Sequence, residues 1–299
     1  MDANIASVAK YGGFYVGRYE AGWDAVKEDT TTYKASKPIG DSKVPLSKYG
    51  YSVCNHISQV NSSVVCDRLN NVKGYENVTA RLIDGYAWDT AVEYISDSVN
   101  SIIDSKTYGN YNNGTSKSRG ILTGYNIYKK AKSTGTGTSE WAYNNIIYRY
   151  EPNEVTIGAR ELDENTPADM ELATRILKEE GTIGSNDTID STNYTYTLYY
   201  ELTTGGAEST KVKNIYDLAG NMWEWTSEVG GHGSLAENNW TNNNQTFAVV
   251  RGGCFNSSEN GVPISYRNGN VDVTNSVIAI GFRVVLYVNW LYYQHECLR

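Results

Sequence analysis

The sequence predicts an α+β protein, and three observations point to this class. A strand-like run opens the chain, two amphipathic helical stretches follow it, and later Tyr- and Thr-rich runs have the character of strands. Hydrophobic residues make up 40% of the 299 residues and Trp occurs 7 times, which excludes collagen, coiled coil and simple disorder. We expect a single domain over residues 1–299, although this length would also allow two small ones.

The first predicted elements are one strand and two helices. Residues 12–19 (GGFYVGRY) alternate in the manner of a strand. Apolar residues then follow helical spacing from Ser58, a suitable N-cap, to Asn71. A second helix fits Asp84 to Ile95, where apolar residues can share one face.

The centre of the chain is expected to contain loops and an insertion. Residues 105–139 are rich in Gly, Ser, Thr and Asn, which favours loops with short strands. A third helix is predicted over residues 166–180, because Thr166 can cap it and a proline follows at the first helical position. Residues 191–202 are typical of a strand. We expect residues from about 140 to 206 to form an insertion in the single domain.

Charge and apolar runs exclude several classes of function. The net charge is −8 and the pI about 5.0, so the balance gives no basis for a nucleic-acid-binding surface. Asp2 and Lys10 interrupt the apolar stretch that a signal peptide would need. Arg283 and Asn289 interrupt the most apolar run, residues 277–293. We therefore expect no signal peptide and no membrane insertion.

Cysteine and histidine spacing gives no metal or disulfide signature. The cysteines, Cys54, Cys66, Cys254 and Cys297, include no close pair, so we expect reduced thiols. The histidines stand far apart, and His232 lies in a Gly-rich stretch that favours a loop.

The most specific signal is a three-part pattern near the C-terminus. It consists of NIYDLAGNMWEW at residues 214–225, VRGG at 250–253 and IGFR at 280–283. With the opening YGGFYVGRYEAG and the predicted helix around Trp88, the pattern resembles the formylglycine-generating-enzyme, or sulfatase-modifying-factor, family. The resemblance covers about residues 11–100 and 205–288. It implies a variant of the C-type lectin fold, with two helices on a twisted, mostly antiparallel sheet and much loop.

Part of this pattern suits a calcium ion. Asp217 and Glu224 flank a compact turn, which can aim carboxylates and carbonyls at one point. The resemblance implies that calcium binds the side chains of Asp217 and Glu224 and the carbonyl groups of Gly220 and Met222. The alternative is that Asp217 caps a turn and Glu224 forms a salt bridge.

Other residues of the pattern are expected to be structural. Trp223 and Trp225 alternate with a glutamate, so both indoles lie on one face of a strand and are expected in the core. The glycines after Arg251 allow close approach of backbones. Phe282 is expected in the core and Arg283 in an internal ion pair.

The chemistry of the family's oxidases does not carry over. Those enzymes bind copper(I) through two cysteines between the Arg-Gly-Gly and Gly-Phe-Arg elements. The matching positions fall near Asn260 and Ser265, neither of which is a cysteine. Cys254 lies at a different place, directly after Arg-Gly-Gly, and the segment contains no second cysteine. Histidine-ligated iron, used by a second branch, is poorly supported by three dispersed histidines. We expect no copper and no catalysis; an enzyme of the same fold is the alternative.

The segment between the Arg-Gly-Gly and Gly-Phe-Arg elements resembles the variable region of proteins diversified by retroelements. Mutagenesis of template adenines at Asn codons yields Asn, Ser, Gly, Tyr, Cys, Phe, Val, Ile or Asp, which are the residue types found here. The resemblance implies a variable segment over about residues 247–283. Its exposed ligand-binding positions would be Cys254, Phe255, Asn256, Ser257, Val262, Tyr266, Asn268, Asn270, Val271, Val277 and Ile278. Scaffold positions would be Arg251, Gly252, Gly253, Pro263, Arg267, Gly281, Phe282 and Arg283.

The pattern is most like the versions found in prophages of Gram-positive bacteria. This resemblance implies a receptor-binding protein of a phage tail, or of the bacterial cell surface, with a host surface protein or glycan as partner. It also implies a homo-oligomer, often a trimer. Two alternatives stay open: residues 256–275 are simply a polar loop, or the protein is a structural module of a virion or surface.

Overall fold

The computed structural model of the protein describes most of the chain. The described residues are 8, 13–25, 43–115, 117–118, 120–132, 140–144, 149–150, 155–156, 159–179, 183–230, 241–242 and 245–288. His232, Cys297 and the predicted end of the third helix at Glu180 lie outside them.

The helices with described bounds are α1 (Gln59–Asp67), α2 (Gly85–Ser96) and α3 (Pro167–Glu179), with 3₁₀ turns at Arg68–Asn71 and Glu208–Thr210. The strands are β1 (Tyr15–Val16), β2 (Gly22–Ala25), β3 (Tyr51–Val53), β4 (Val78–Leu82), β5 (Lys117–Ser118), β6 (Gly120–Ala131), β7 (Glu140–Asn144), β8 (Arg149–Tyr150), β9 (Val155–Thr156), β10 (Ala159–Glu161), β11 (Tyr194–Ala207), β12 (Lys211–Val212), β13 (Ile215–Tyr216), β14 (Trp223–Val229), β15 (Thr241–Asn242), β16 (Gln245–Arg251), β17 (Arg267–Asp272), β18 (Ile280–Phe282) and β19 (Val284–Val288). None of the helices in this part of the chain has the length and apolarity that a membrane span requires.

Side-chain caps begin the first two helices, and the sequence predicts the first of these caps, Ser58. The Ser58 hydroxyl accepts a hydrogen bond from the Asn61 N–H at 3.3 Å. The Asp84 carboxylate accepts one from the Ala87 N–H at 2.8 Å. Each cap satisfies an N–H group that has no partner inside the helix. Both predicted helices are confirmed, and the first continues as a 3₁₀ turn to Asn71.

A mostly antiparallel sheet carries the C-terminal motifs, as predicted. Its strand order is β15-β16-β14-β18, and β17 pairs with β16. Only the β14–β18 ladder of this sheet is parallel, and it places Trp223 opposite Ile280. A second sheet, β1-β19-β4, places Tyr15 opposite Leu286 and so brings the N-terminal strand against a C-terminal one. Helix α1 contacts β4 and β14, and α2 contacts β14.

Two apolar clusters form the core beside these sheets. One surrounds Trp225 and Phe282, both fully buried, and includes residues of α1. The other surrounds Trp88 of α2 and includes Tyr111. The expectation of core positions for Trp225 and Phe282 is thereby confirmed. The Trp225 indole also donates to the Ile57 carbonyl at 2.8 Å, so its polar atom is satisfied.

The predicted insertion has its own sheet and helix. The strand order is β10-β11-β6-β7, with β8 beside β6, and α3 contacts β6 and β7. Ile176 of α3 and Leu198 of β11 lie in the apolar cluster between them. This sheet spans Gly120 to Ala207 and so starts earlier in the chain than residue 140, because β6 pairs with β11 over most of its length.

Candidate functional site

The segment expected to bind ligand begins where β16 ends. After Arg251 the chain passes through Gly252 and Gly253, whose φ values are +88° and +74°. A Cβ on Gly253 would lie 2.6 Å from the Tyr111 ring and 2.7 Å from the Val262 carbonyl. Because glycine alone tolerates both the conformation and the contact, the two glycines fix the exit of the chain from the sheet. The following loop, residues 252–266, leads into β17.

Buried side chains of the surrounding structure bind the backbone of this loop. The Tyr111 hydroxyl donates to the Gly252 carbonyl at 2.7 Å and accepts from Ser105 Oγ at 3.0 Å. Ser105 Oγ in turn accepts from the Ile264 N–H at 3.2 Å. The Trp88 indole donates to the Ile264 carbonyl at 3.4 Å. The buried hydroxyl groups of Tyr111 and Ser105 thus connect Gly252 with Ile264, twelve positions further along the loop.

Two asparagines extend this set of contacts. The Asn112 side chain donates to the Asn256 carbonyl at 3.1 Å, and the backbone N–H of Asn112 donates to the Ser257 carbonyl at 3.0 Å. The Asn113 side chain accepts from the Glu259 N–H at 2.8 Å. We call Trp88, Ser105, Tyr111, Asn112 and Asn113 the support residues. Most of their hydrogen bonds with the loop go to its main-chain atoms, and the exception is the Ser105 N–H, which donates to the buried Glu259 carboxylate at 3.0 Å. They therefore hold the path of the loop whatever its outward side chains are.

Charged residues fix the end of the loop. Arg251, only 4% exposed, pairs with Asp89 and donates to the Ser265 carbonyl at 3.3 Å. Arg267, the first residue of β17, pairs with Glu228 at 2.8 Å. These contacts are what a scaffold position requires, in line with the expectation for both arginines.

The described structure divides the eleven expected ligand-binding positions into three groups. Tyr266, Asn270 and Val277 are exposed. Partly exposed positions are Asn256, Ser257, Val262, Asn268 and Val271. Cys254, Phe255 and Ile278 are buried, so the expectation that these three are exposed is wrong.

The insertion and the loop backbone explain these burials. Phe255 and Ile278 belong to an apolar cluster with Tyr199 of β11, a strand of the insertion. The sequence resemblance leaves the insertion unmatched, so nothing in the sequence indicated that it would cover these residues. The Cys254 thiol donates to Asn256 Oδ1 at 2.9 Å, and burial raises its pKa to about 11. A thiol with that pKa is largely protonated at neutral pH and is a poor metal ligand or nucleophile.

An aromatic pair lies at the end of the sheet beside this loop. The ring centroids of Trp223 and Tyr266 are 6.1 Å apart, with the planes inclined by 56°. Tyr266 is 41% exposed and Trp223 partly exposed. Trp223 packs against the core cluster around Trp225 but is only partly buried, so the expectation of a core residue holds in part, whereas Trp225 on the same face is fully buried.

The expected calcium positions contain a buried ion pair instead. Arg283 Nη2 lies 2.6 Å from Glu224 Oε1, and its Nε lies 3.0 Å from Oε2; both side chains are fully buried. Arg283 also donates to the carbonyl groups of Gly17 and Tyr216, each at 2.9 Å. The expectation of an internal ion pair for Arg283 is confirmed.

Asp217 forms local hydrogen bonds. Its carboxylate accepts from the Gly205 N–H at 2.8 Å and from the Thr210 hydroxyl at 2.6 Å. Burial raises the pKa of Asp217 to about 6, although these hydrogen bonds and Arg283 act in the opposite direction. Burial also raises the pKa of Glu224, against the effect of Arg283.

These contacts leave few oxygens for a cation. Calcium takes about six to eight oxygen ligands. Both oxygens of Glu224 contact Arg283, and both of Asp217 accept hydrogen bonds. Within the described residues, no group of three or more His, Cys, Asp or Glu side chains is placed to hold a metal. The arrangement fits the alternative of turn cap and salt bridge better than calcium at Asp217, Gly220, Met222 and Glu224.

Sequence reasoning missed Glu20 as a member of this buried group. Its carboxylate accepts from Asn221 Nδ2 at 2.7 Å and from the Met222 N–H at 3.2 Å. Burial, then the charges of Asp217 and Glu224, raise its pKa well above the ordinary value. Its place in the opening motif YGGFYVGRYEAG was the available signal, because Tyr15 and Val16 of that motif pair with Leu286 and Val285.

The fold and this loop together define a scaffold of lectin type that presents a supported segment. Residues 201–288 match the model of the sulfatase-modifying factor enzyme 1-like domain. This match, with the observed helices and antiparallel sheets, confirms the resemblance to the formylglycine-generating-enzyme family and the predicted α+β fold of that type.

Two solved structures are similar to this chain at low identity. One, described as "Crystal Structure of CarF", is 13% identical with a TM-score of 0.35, over 92% of this chain and 87% of that chain. The other, Treponema denticola variable protein 1, is 12% identical with a TM-score of 0.22, over 92% of this chain and 98% of that chain. No curated protein matches the sequence. Likenesses this distant carry no argument about function.

Proposed function

We propose that this protein binds a ligand and is not an enzyme, and that it presents a diversified C-terminal site on a lectin-type scaffold. It acts as a receptor-binding protein of a phage tail, or at a bacterial surface, as a homotrimer whose partner is a host surface protein or glycan. The ligand-binding positions are the eight expected positions between Asn256 and Val277 that are exposed or partly exposed.

One observation carries this proposal: the support residues bind the main chain of the loop. Gly252, Asn256, Ser257 and Ile264 are held through carbonyl and N–H groups, which every substituted residue would keep. A site built in this way tolerates changes of its outward side chains without losing its shape. A fixed backbone also lowers the entropy cost of binding, as in matured antibody sites.

A triple substitution tests the proposal directly. Tyr266→Ser, Asn270→Ser and Val277→Asn together change the three exposed positions by replacements typical of adenine mutagenesis. We expect a melting temperature close to that of the parent, because exposed substitutions usually change stability by about 0.5 kcal/mol or less. Binding of the labelled protein to intact host cells should be lost or redirected.

Phe255→Ser is the matched control inside the same segment. Phe255 is fully buried, so this variant should unfold at a much lower temperature. A triple variant as unstable as the control, or one that binds host cells like the parent, would refute the proposal. DNA flanking the gene gives an independent test: a reverse-transcriptase gene and a near-copy that differs only at template adenines are expected.

The alternative function, an oxidase of the same fold, is tested through Cys254. The buried thiol with raised pKa favours a structural role. We expect no oxidation of a cysteine-containing peptide in the presence of copper. Oxidation by the parent that is lost in Cys254→Ser would overturn the non-enzymatic assignment.

A further inference from the structure

We infer that Trp223 and Tyr266 form an aromatic contact site for a neutral glycan. This inference rests on the proposed function and identifies the class of its ligand. It also adds a contact residue, Trp223, that lies outside the variable segment and would stay constant while that segment changes.

The backbone places the two rings side by side at one end of the sheet. Trp223 is the first residue of β14, and Tyr266 directly precedes β17. The strand between them, β16, ends at Arg251, where the chain turns away through Gly252. A turn in which the Tyr266 N–H donates to the Pro263 carbonyl at 2.8 Å holds the tyrosine backbone. An exposed tyrosine ring and a partly exposed tryptophan ring therefore lie together, and sugar rings bind such surfaces through their C–H faces.

The segment that contains Tyr266 is polar but nearly uncharged. Between residues 254 and 278 the charged residues are Glu259, Arg267 and Asp272. Glu259 is buried, and Arg267 is paired with Glu228. The other outward polar side chains are amides and hydroxyls, such as Asn256, Ser257, Ser258, Asn260, Asn268 and Asn270. Groups of this kind pair with sugar hydroxyls, whereas an acidic glycan would require cations that are not engaged elsewhere.

The apolar area of the segment favours a small ligand over a protein surface. A stable protein interface buries about 800 Å² on each partner, with aromatic residues and apolar core positions enriched. Large apolar side chains that are well exposed between residues 254 and 278 of the described chain are Tyr266 and Val277. One aromatic pair with a polar surround suits a short glycan, whose rings need only local apolar contact.

Titration of the full chain with neutral oligosaccharides tests this inference. The probes are tetramers of β-linked glucose, galactose and N-acetylglucosamine, with sialylated and phosphorylated glycans beside them. We expect at least one neutral probe to bind and to change tryptophan fluorescence. Tyr266→Ala should weaken binding about tenfold or more, as expected for truncation of a central aromatic contact. Trp223→Phe should keep weaker binding and lose most of the fluorescence change.

Tyr86→Ala is the matched control, since Tyr86 is 72% exposed on α2 and should leave binding unchanged. Equal losses in Tyr86→Ala and Tyr266→Ala would overturn the site. Host-cell binding without binding of any neutral glycan would overturn the glycan class and leave the proposed function standing, with a protein as partner. Preferential binding of the charged probes would also overturn the assignment to a neutral glycan. Absence of both cell and glycan binding would instead refute the proposed function.

Discussion

The Tyr111 hydroxyl should keep the loop of residues 252–266 in one conformation. The substitution Tyr111→Phe removes only that hydroxyl group. The ring stays in place, so no cavity forms in the cluster around Trp88. The hydroxyl donates to the Gly252 carbonyl at 2.7 Å and accepts from Ser105 Oγ at 3.0 Å. Gly252 keeps a second donor, the Gly220 N–H at 2.8 Å, whereas Ser105 loses a buried acceptor.

The expected cost follows from these two contacts. A typical hydrogen bond contributes about 0.5–1.5 kcal/mol net, and a buried group left without a partner costs about 1–3 kcal/mol. We therefore expect Tyr111→Phe to lower the free energy of unfolding by about 2–3 kcal/mol. With roughly 2–4 °C per kcal/mol for domains somewhat smaller than this one, the melting temperature should fall by about 4–12 °C.

The assay combines calorimetry with hydrogen exchange at the loop amides. The Ile264 N–H, bound to Ser105 Oγ, should exchange faster in Tyr111→Phe, and binding of host cells should weaken. Tyr108→Phe is the control, because the Tyr108 hydroxyl donates at 2.7 Å to the Ser101 carbonyl, outside the loop. If both variants leave exchange at Ile264 unchanged, the view that the support residues hold the loop is refuted.

Further predictions concern the buried residues and the exposed ones. Phe255→Ala should destabilise the protein by about 3–5 kcal/mol, whereas Tyr266→Ala should change stability by about 0.5 kcal/mol or less, as denaturant unfolding would show. Arg283→Met should lower the free energy of unfolding by about 3–5 kcal/mol or more, since Glu224 would be left buried without its partner. Addition of a chelator should leave the melting temperature unchanged if that ion pair occupies the expected calcium position; a clear fall that added calcium reverses, and that is absent in Asp217→Asn, would instead support calcium there. The folded-state pKa of Asp217, about 6, lies above its value of about 3.9 in an unfolded chain, so its contribution to stability is complete below about pH 4 and is lost as the pH rises through 6. Asp217→Asn should remove that part of the pH dependence, and an unchanged slope of stability between pH 4 and 6 would contradict the shift.

Local signals sufficed for the elements that begin and end at identifiable residues. Ser58 caps its helix as predicted, and the second helix begins at Asp84 as predicted, because capping depends on a side chain and the backbone three residues away. The buried positions of Trp225 and Phe282 followed from motifs whose spacing fits the family pattern.

Burial that depends on distant partners was beyond the sequence. Val60 and Val64 follow helical spacing, yet they are 52% and 51% exposed, because α1 turns the side that holds Val65 and Cys66 toward the core. Phe255 and Ile278 have the residue types of diversified positions and are covered by the insertion. The residue types of the segment are visible in the sequence, whereas the residues that bury Phe255 and Ile278, such as Tyr199, lie in a distant part of the chain.

The contacts of the opening motif have a consequence for how the chain folds. Glu20 binds Asn221, which lies 201 positions further along, and the Gly17 carbonyl binds Arg283 across 266 positions. Contacts of such long sequence separation are slow to form, since a large loop must close before they stabilise anything. During synthesis, the N-terminal strand must therefore wait for the C-terminal motifs to leave the ribosome. We expect nascent chains that stop before Arg283 to lack these contacts, and the whole chain to refold slowly from denaturant.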